Sequence, residues 1–313
     1  MDLKAFLNIL TEIIYILCGL VSISVAIRGL KNEKARVGTF LFWFILGVIF
    51  ILGKTIPYAV TGGLLVVLAL ITVTKQLQIG TFKEITHEFK VAQSEKFKNK
   101  IFLPAALIGI SAFLILQFKI GKVAIPSAVG IGGGALIALL VATAIIKPKF
   151  SETSEDTSRL LMQIGATALL PQLLAALGAV FTKAGVGKVI AQSISSVVPS
   201  GNIFIGIVIY AVGMALFTMI MGNAFAAFSV ITVGIGVPFI LKHGGNPAVI
   251  GALGMTAGYC GTLITPMAAN FNIVPASILE IKNKNGIIKT QLPMALALFV
   301  VHIILMLLLF GIK

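Results

Sequence analysis

Charged side chains are scarce in this sequence, and acidic side chains are the scarcest. Asp, Glu, Lys and Arg make up 11% of the 313 residues, and only 10 residues are Asp or Glu. A soluble domain carries about 25% charged residues. Hydrophobic residues reach 58% here, and the mean hydropathy is +1.08. The composition therefore excludes an ordinary soluble domain and predicts an all-α polytopic membrane protein.

The residues that enzymes use for acid–base and phosphate chemistry are also few. The sequence holds 3 histidines, no HExxH motif and no glycine-rich loop ending in GKS or GKT. The cluster Gly130, Gly132, Gly133 and Gly134 lies inside an apolar run, where small residues favour close helix packing. We therefore expect that the chain is not an enzyme and does not hydrolyse ATP.

Cysteine is nearly absent, and the basic residues form no continuous face. Cys18 and Cys260 are the 2 cysteines, and their spacing predicts neither a disulfide nor a metal site. A net charge of +14 can indicate nucleic acid, but here Lys and Arg are spread over short loops between apolar runs. That spread is typical of membrane topology signals. We expect contact with a lipid bilayer and no nucleic-acid partner.

Apolar runs long enough to cross a bilayer recur along the chain, since a span needs about 20 apolar residues. We predict about eight transmembrane segments plus one re-entrant helical hairpin and one broken helix. Residues 1–157 are expected to form an amino-terminal scaffold of about five spans, and 158–313 one half of a transport core. The candidate segments are 5–27, 38–53, 56–74, 101–118, 123–146, 160–182, the hairpin 202–241, the broken helix 247–281 and the last span 287–310.

Loop charge predicts an amino terminus outside the cell. With that orientation, the inside loops hold about twice as many Lys and Arg residues as the outside regions, as positive-inside topology requires. Two connectors, 81–97 and 183–197, are predicted to be amphipathic helices lying on the bilayer, with a capping box between Thr81 and Glu84. The second would couple the sixth span to the hairpin; ordinary connectors are the alternative for both.

The first polar island is Gly222-Asn223, at the midpoint of the apolar segment 202–241. The turn is short and uncharged, whereas a turn in cytoplasmic water usually carries Lys or Arg. We therefore predict a re-entrant hairpin with its tip buried in the membrane, because polar backbone at membrane depth must be buried in protein or line a cavity. Two full spans joined by a tight turn are the alternative, which the arm lengths also allow.

The second polar island lies in the segment 247–281, which is too long for one simple span and too short for two with a loop. Pro266 removes a helical donor and disfavours helix at Thr265. We predict two half-helices with an unwound link, with a Pro-kinked helix and a surface loop as the alternative. The polar and helix-breaking residues of this island are Gly258, Gly261, Thr262, Thr265, Pro266, Asn270, Asn272 and Pro275.

Together the two islands predict a site for an anion and a coupling ion. Half-helices that start just after Asn223 and after Asn270 would offer free N–H groups to an anion. Unwound carbonyls and the side-chain oxygens of Asn223, Thr262, Thr265 and Asn270 would replace the water shell of Na⁺. The predicted substrate and ion site is Gly222, Asn223, Thr262, Thr265, Pro266, Asn270 and Asn272, with Asn223, Thr265 and Asn270 as the candidate Na⁺ ligands.

The scarcity of acidic residues bears on the coupling ion. Glu12 is the one acidic residue well inside a predicted span, and it is remote in sequence from both islands. Proton-coupled sites usually use an intramembrane carboxylate or histidine, and His302 in the last span is the remaining candidate. The sequence therefore favours Na⁺ over H⁺ and predicts no other cofactor.

Four stretches resemble a bacterial membrane-protein family called domain of unknown function 979. They are RVGTFLFWFILG, LLPQLLAALGAVFTKAGVGKVIA, GMALFTMIMGNAFAAF and KHGGNPAVIGALGMTAGYCGTLITPMAANFNIVP. The resemblance covers almost the whole chain. It implies the ion transporter superfamily of divalent-anion, citrate and gluconate carriers, which have two inverted repeats, each with a re-entrant hairpin and a broken helix.

Measured against those carriers, this chain matches one repeat. Gly222-Asn223-Ala224 stands where they have Ser-Asn-Thr, so two hydroxyl ligands are missing, whereas Thr265, Pro266 and Asn270 match the second motif. The resemblance implies that a companion membrane protein, of the domain of unknown function 969 family, or a second copy in a homodimer supplies the other repeat. It also implies a bacterial cytoplasmic membrane and suggests 5-oxoproline as a substrate.

The expected function is a subunit of an ion-coupled secondary transporter for a small organic anion, 5-oxoproline or another carboxylate, with alternating access at a mid-membrane site. A passive channel built from the same islands is one alternative. A membrane scaffold or enzyme subunit is another, which the missing acid–base residues disfavour.

Overall fold

A computed structural model describes residues 3–82, 86–120, 123–195, 202–279, 281–283 and 285–311. Most of these residues lie in helices, and six helical segments are long and apolar enough to cross a membrane. The prediction of an all-α polytopic membrane protein is confirmed. The six segments are Leu3–Gly29, Glu88–Gln117, Ser127–Ile146, Ile203–Met221, Ala224–His243 and Gly286–Leu308, and Arg36–Leu52 and Tyr58–Val73 are shorter apolar helices.

The chain divides into two compact units, Met1–Gly165 and Ala166–Lys313. The first unit contains helices α1 Leu3–Gly29, α2 Arg36–Leu52, α3 Tyr58–Val73, α4 His87–Phe97, α5 Phe102–Gln117, α6 Ser127–Ile146 and α7 Phe150–Ile164. A 3₁₀ turn, Lys98–Ile101, joins α4 to α5, and the short antiparallel strands β1 Lys119–Ile120 and β2 Val123–Ala124 join α5 to α6.

Glycines bring the helices of the first unit close together. A Cβ on Gly134 of α6 would lie 2.7 Å from the carbonyl oxygen of Ile108 in α5. A Cβ on Gly47 of α2 would lie 2.9 Å from the carbonyl oxygen of Gly19 in α1. The interpretation of the Gly130–Gly134 cluster as a helix-packing surface is confirmed, since small residues let backbones approach.

The second unit carries the two polar islands. It contains α8 Leu170–Lys183, α9 Val186–Ser195, α10 Ile203–Met221, α11 Ala224–Ile231, α12 Val237–Phe239, α13 Pro247–Leu263, α14 Ala269–Ile278 and α15 Gly286–Leu308. A π-helical turn, Thr232–Gly236, joins α11 to α12, and the 3₁₀ turn Leu241–His243 follows α12. The core is built around Tyr210 of α10, which is fully buried and whose hydroxyl lies 2.9 Å from the Thr232 hydroxyl.

The predicted sixth span, 160–182, is wrong as a single helix. Helix α7 ends at Ile164, a 3₁₀ turn covers Gly165–Leu169, and α8 begins at Leu170. Gly165 has φ +51°, a left-handed conformation that ends a helix and that glycine adopts without a Cβ penalty. The apolar run continues across this turn, so hydropathy alone does not detect it.

The two predicted interfacial helices differ from the structure. Helix α4 begins at His87, where the Thr86 side chain accepts from the Phe89 N–H, so a start at Thr81 is wrong. Glu84 of the predicted capping box lies outside the described residues. Helix α9 covers most of 183–197, and its Gly187 packs against the backbone of Val230 and Gly234. This contact places α9 on the second arm of the hairpin, while residues 196–197 lie outside the described part of the chain.

The hairpin arms are α10, with 19 residues, and the mostly helical segment Ala224–His243, with 20 residues. At about 1.5 Å per residue each arm is roughly 28–30 Å long. A hydrocarbon core is about 30 Å thick. Helix length therefore permits both a re-entrant hairpin and two full spans, and the depth of the tip stays a prediction.

Candidate functional site

The hairpin turns at Gly222, whose left-handed conformation favours glycine, and at Asn223, whose side chain caps the next helix. Gly222 ends α10 with φ +65°, and its N–H donates to the Thr218 carbonyl at 2.7 Å. Asn223 then adopts an extended conformation and caps α11. Glycine after a helix and asparagine before one are the favoured residues for these two positions. The Gly-Asn pair therefore stops one helix and starts the next within two residues.

The Asn223 side chain accepts hydrogen bonds from the first backbone N–H groups of α11. Its Oδ1 accepts from the Phe225 N–H at 2.9 Å and from the Ala226 N–H at 3.3 Å. The expectation that these N–H groups are free for an anion is therefore wrong, because the cap uses them. What Asn223 leaves available at the tip is its amide nitrogen, Nδ2, which is a donor.

The predicted interruption of the second segment is observed at residues 264–268. Helix α13 ends at Leu263 and α14 begins at Ala269, so the second half-helix starts before Asn270 and not after it. Ala268 precedes α14 and provides no side-chain cap. Pro266 is exposed in the link, and Pro275 is accommodated inside α14.

Asn272 holds the two sides of this interruption together. Its side chain is fully buried, and its amide nitrogen donates to the Thr262 carbonyl at 2.8 Å and to the Thr265 carbonyl at 2.7 Å. The Thr262 carbonyl lies in the last turn of α13, where carbonyl groups lose their intrahelical partners, and the Thr265 carbonyl lies in the link that follows. Asn272 is thus a positioning residue that satisfies the broken end of the helix.

Thr265 ties the interruption to the hairpin. Its hydroxyl donates to the Met219 carbonyl of α10 at 2.9 Å and accepts from the Met267 N–H at 3.2 Å. The side chain is 4% exposed. One threonine therefore connects the unwound link to the last turn of α10, one turn before Gly222.

The hairpin tip and the start of α14 enclose a pocket of about 130 Å³. Its lining residues are Leu170, Gly222, Asn223, Ala224, Phe225, Tyr259, Thr262, Met267, Ala269, Asn270 and Phe271. The pocket therefore brings together four predicted site residues, Gly222, Asn223, Thr262 and Asn270. Thr265, Pro266 and Asn272 do not line it.

The candidate Na⁺ ligands are separated by this arrangement. Asn223 and Asn270 line the pocket, but Thr265 does not. The Asn223 Oδ1 already accepts two hydrogen bonds, and the Thr265 hydroxyl is engaged on both sides. In the described residues, no group of three or more His, Cys, Asp or Glu side chains converges on a metal position. Any cation here would rely on neutral oxygens.

Aromatic side chains of the pocket were missed by sequence reasoning. Tyr259 of α13 lies between the two helix starts, with ring centroids 6.1 Å from Phe225 and 6.4 Å from Phe271. The positions of these three residues in the sequence could have indicated their place in the site. Phe225 and Phe271 closely follow Asn223 and Asn270, and Tyr259 lies one helical turn before Thr262.

Titratable groups of the membrane spans are engaged elsewhere. Glu12 of α1 forms an ion pair with Lys54 at 3.3 Å in the first unit. The His302 Nδ1 lies 2.6 Å from the Leu298 carbonyl of its own helix. No Asp, Glu, His, Lys or Arg of the described residues lines the pocket. The pocket chemistry is therefore that of amides, helix termini and aromatic rings.

Comparison with known proteins gives a family and no characterised relative. No curated protein and no solved structure matches the chain. One family model, described as a protein of unknown function (DUF979), matches residues 12–310. Because this match covers nearly the full length, the chain belongs to the DUF979 family.

Proposed function

We propose that this protein is a subunit of a secondary transporter that moves a small organic anion across a bacterial cytoplasmic membrane. The observation that carries the proposal is the pocket between Asn223 and Asn270, at which two helices begin. The side-chain amides of Asn223 and Asn270 supply donors for an anion, and α14, which has no side-chain cap, adds the dipole of its amino terminus. Polar backbone of this kind within an apolar chain is typical of transporter sites.

The moving part would be the hairpin together with α13 and α14. The Thr265 hydroxyl joins the link to α10, and Gly261 packs directly on the Ala215 backbone of that helix. Elements that share buried hydrogen bonds and backbone contacts move together more readily than apart. Alternating access would then expose the pocket first to one side of the membrane and then to the other.

The second repeat of the carrier would come from a partner. A companion membrane protein of the domain of unknown function 969 family is the first candidate, and a second copy of this chain is the other. The same proposal includes a relationship to the ion transporter superfamily and an amino terminus on the outside of the membrane. It also includes Na⁺ as the coupling ion and 5-oxoproline as the substrate.

Uptake of labelled 5-oxoproline and other organic acids in cells tests the proposal. The chain is expressed alone and with the companion protein, in Na⁺ and in Na⁺-free medium. We expect saturable uptake that collapses with an ionophore and is lost in Asn223→Ala and Asn270→Ala. Wild-type uptake in both variants would remove the site, and conductance without coupling would indicate a passive channel.

A further inference from the structure

Helices α5 and α6 of the first unit form an antiparallel pair with two lysines at the same end of each helix. Gly130, early in α6, lies against the Leu116 side chain, late in α5, and Gly134 lies against Ala112. This register places the start of α5 and the end of α6 at one end of the pair. The four residues at that end, termed the lysine cluster, are Lys98 and Lys100 before α5 and Lys147 and Lys149 after α6.

The lysine cluster is exposed and has no ionic partner. All four side chains are exposed, and none of them takes part in an ion pair within the described residues. Glu95 and Glu152 are the nearest acidic residues in sequence. The Glu152 carboxylate accepts from the backbone N–H of Lys149 at 3.2 Å. Uncompensated charges of one sign attract an ion of the other sign from outside the chain.

Two lysines of the cluster adopt a backbone conformation that favours glycine. Lys98 ends α4 with φ +45°, and Lys147 ends α6 with φ +50°. For an L-residue, the cost of this conformation exceeds what a helix dipole returns to an exposed cation. Backbone strain of this kind is concentrated at functional sites. The strain therefore indicates that lysine at these positions serves something other than the stability of the helix ends.

The lysine cluster lies at the edge of an apolar surface. Lys98 and Lys100 belong to the segment Glu88–Gln117, which is long and apolar enough to cross a membrane. Phe102, at the start of α5, is 65% exposed, and Phe150, which follows Lys149, is 88% exposed. Exposed aromatic rings beside lysines are stabilised where the acyl chains of a bilayer meet the headgroups. The ammonium groups of the cluster therefore lie at headgroup level.

We propose that the lysine cluster is a binding site for the phosphate of an anionic phospholipid, whose acyl chains lie along the exposed face of α5. A juxtamembrane group of lysines attracts anionic headgroups, and an ammonium group binds phosphate as a point charge. A zwitterionic headgroup binds more weakly, because it brings its own cation towards the cluster. The proposal is independent of transport and of the pocket in the second unit.

Thermal stabilisation of the purified full-length chain in detergent micelles tests the site. The probes are dioleoylphosphatidylglycerol, dioleoylphosphatidylcholine with the same acyl chains, and inorganic phosphate at the same phosphate concentration. A ligand that binds the folded state raises the melting temperature. We expect phosphatidylglycerol to raise it at a lower concentration than phosphatidylcholine. We also expect the difference to shrink in about 0.5 M NaCl, because salt screens exposed charges.

Substitutions assign the effect to the lysine cluster. Lys98→Gln combined with Lys147→Gln should weaken phosphatidylglycerol binding by roughly fivefold for each lysine removed. The control combines Lys31→Gln with Lys34→Gln, which removes two exposed lysines from the loop between α1 and α2. The control should retain the response of the wild type to lipid.

Glycine at the same two positions separates binding from folding. Lys98→Gly combined with Lys147→Gly removes both charges and also the strain, because glycine adopts positive φ without a Cβ penalty. We expect a melting temperature in pure detergent at or above that of the wild type, together with the same loss of lipid response. This variant decides the question if the Gln variant fails to fold.

Three results would each overturn the proposal. Equal stabilisation by the two phospholipids would show that headgroup charge is not recognised. An equal shift with inorganic phosphate would assign the lysines to a free anion and not to a lipid. An equal loss in the Lys31/Lys34 control would indicate general attraction to basic loops without a specific site.

Discussion

The side-chain amide nitrogen of Asn272 lies 2.7 Å from the carbonyl oxygen of Thr265, and it also donates to the Thr262 carbonyl on the other side of the helix end. One buried side-chain amide thus supplies a donor to two of the carbonyls at the interruption. This relationship explains how an unwound link persists inside an apolar unit, because buried carbonyls without partners are costly.

Asn272→Asp keeps the size of this side chain and removes the amide group that donates to both carbonyls. We expect a loss of stability of about 1–3 kcal/mol, because a protonated carboxyl group donates to only one of the two buried carbonyls and an ionised one to neither. Urea-dependent unfolding in detergent measures it. Asn285→Ala is the control, since Asn285 is exposed and its side chain makes no hydrogen bond within the described residues. Equal stability of Asn272→Asp and wild type would contradict this role.

Thr265→Val removes the hydroxyl that connects the link to α10. We expect the free energy of unfolding to fall by about 1 kcal/mol. We also expect slower uptake than in the control variant Thr256→Val, because the link and the hairpin no longer move together. Thr256→Val is matched to it, since the Thr256 hydroxyl bonds only to carbonyls of its own helix. Similar uptake rates in the two variants would show that the Thr265–Met219 bond has no role in transport.

Asn223 combines capping with ligand binding, and substitutions separate the two roles. Asn223→Ala should cost about 0.5–2 kcal/mol of stability, which is typical for a lost cap. Asn223→Ser retains a capping oxygen but lacks the amide donor, so we expect wild-type stability without uptake. Melting temperatures and uptake rates, measured for both variants, separate the capping role of Asn223 from its role in ligand binding. Uptake by the Ser variant at the wild-type rate would limit Asn223 to capping.

Gly261 allows α13 to lie directly on α10. A Cβ on Gly261 would lie 3.0 Å from the Ala215 carbonyl carbon and closer still to its oxygen, and backbone cannot move aside easily. Gly261→Ala should therefore destabilise the second unit by about 1–3 kcal/mol. Gly109→Ala is the control, since nothing lies within 4 Å of its Cβ position. Gly109→Ala should raise the stability of the protein by about 0.5–1 kcal/mol, because alanine has the higher helix propensity.

The depth of the hairpin tip is accessible to cysteine labelling. Phe225→Cys is placed in a background in which Cys18 and Cys260 are replaced by Ala, and Lys34→Cys in the loop between α1 and α2 is the exposed comparison. A tip buried in the bilayer predicts slower reaction of residue 225 with a membrane-impermeant thiol reagent. It also predicts protection by a bound carboxylate. Equal rates at the two positions would place the tip in bulk water.

Some features of the candidate site could be predicted from local sequence. Gly222-Asn223 interrupts an apolar run, and Thr265-Pro266 interrupts another, so both helix breaks follow from backbone chemistry at single positions. The turn at Gly165 was missed because the residues around it are as apolar as a continuous span. The start of α14 was misplaced because Ala268 is not a recognisable cap.

The sequence by itself determined that this is a multi-pass helical membrane protein with two interrupted helices, because hydropathy, glycine and proline act on the chain locally. Only the tertiary structure decided that Asn272 stabilises the interruption and that Tyr259 lies between the two helix starts. The reason is physical: a side-chain amide finds its acceptors, and a ring its neighbours, only after helices distant in sequence have packed.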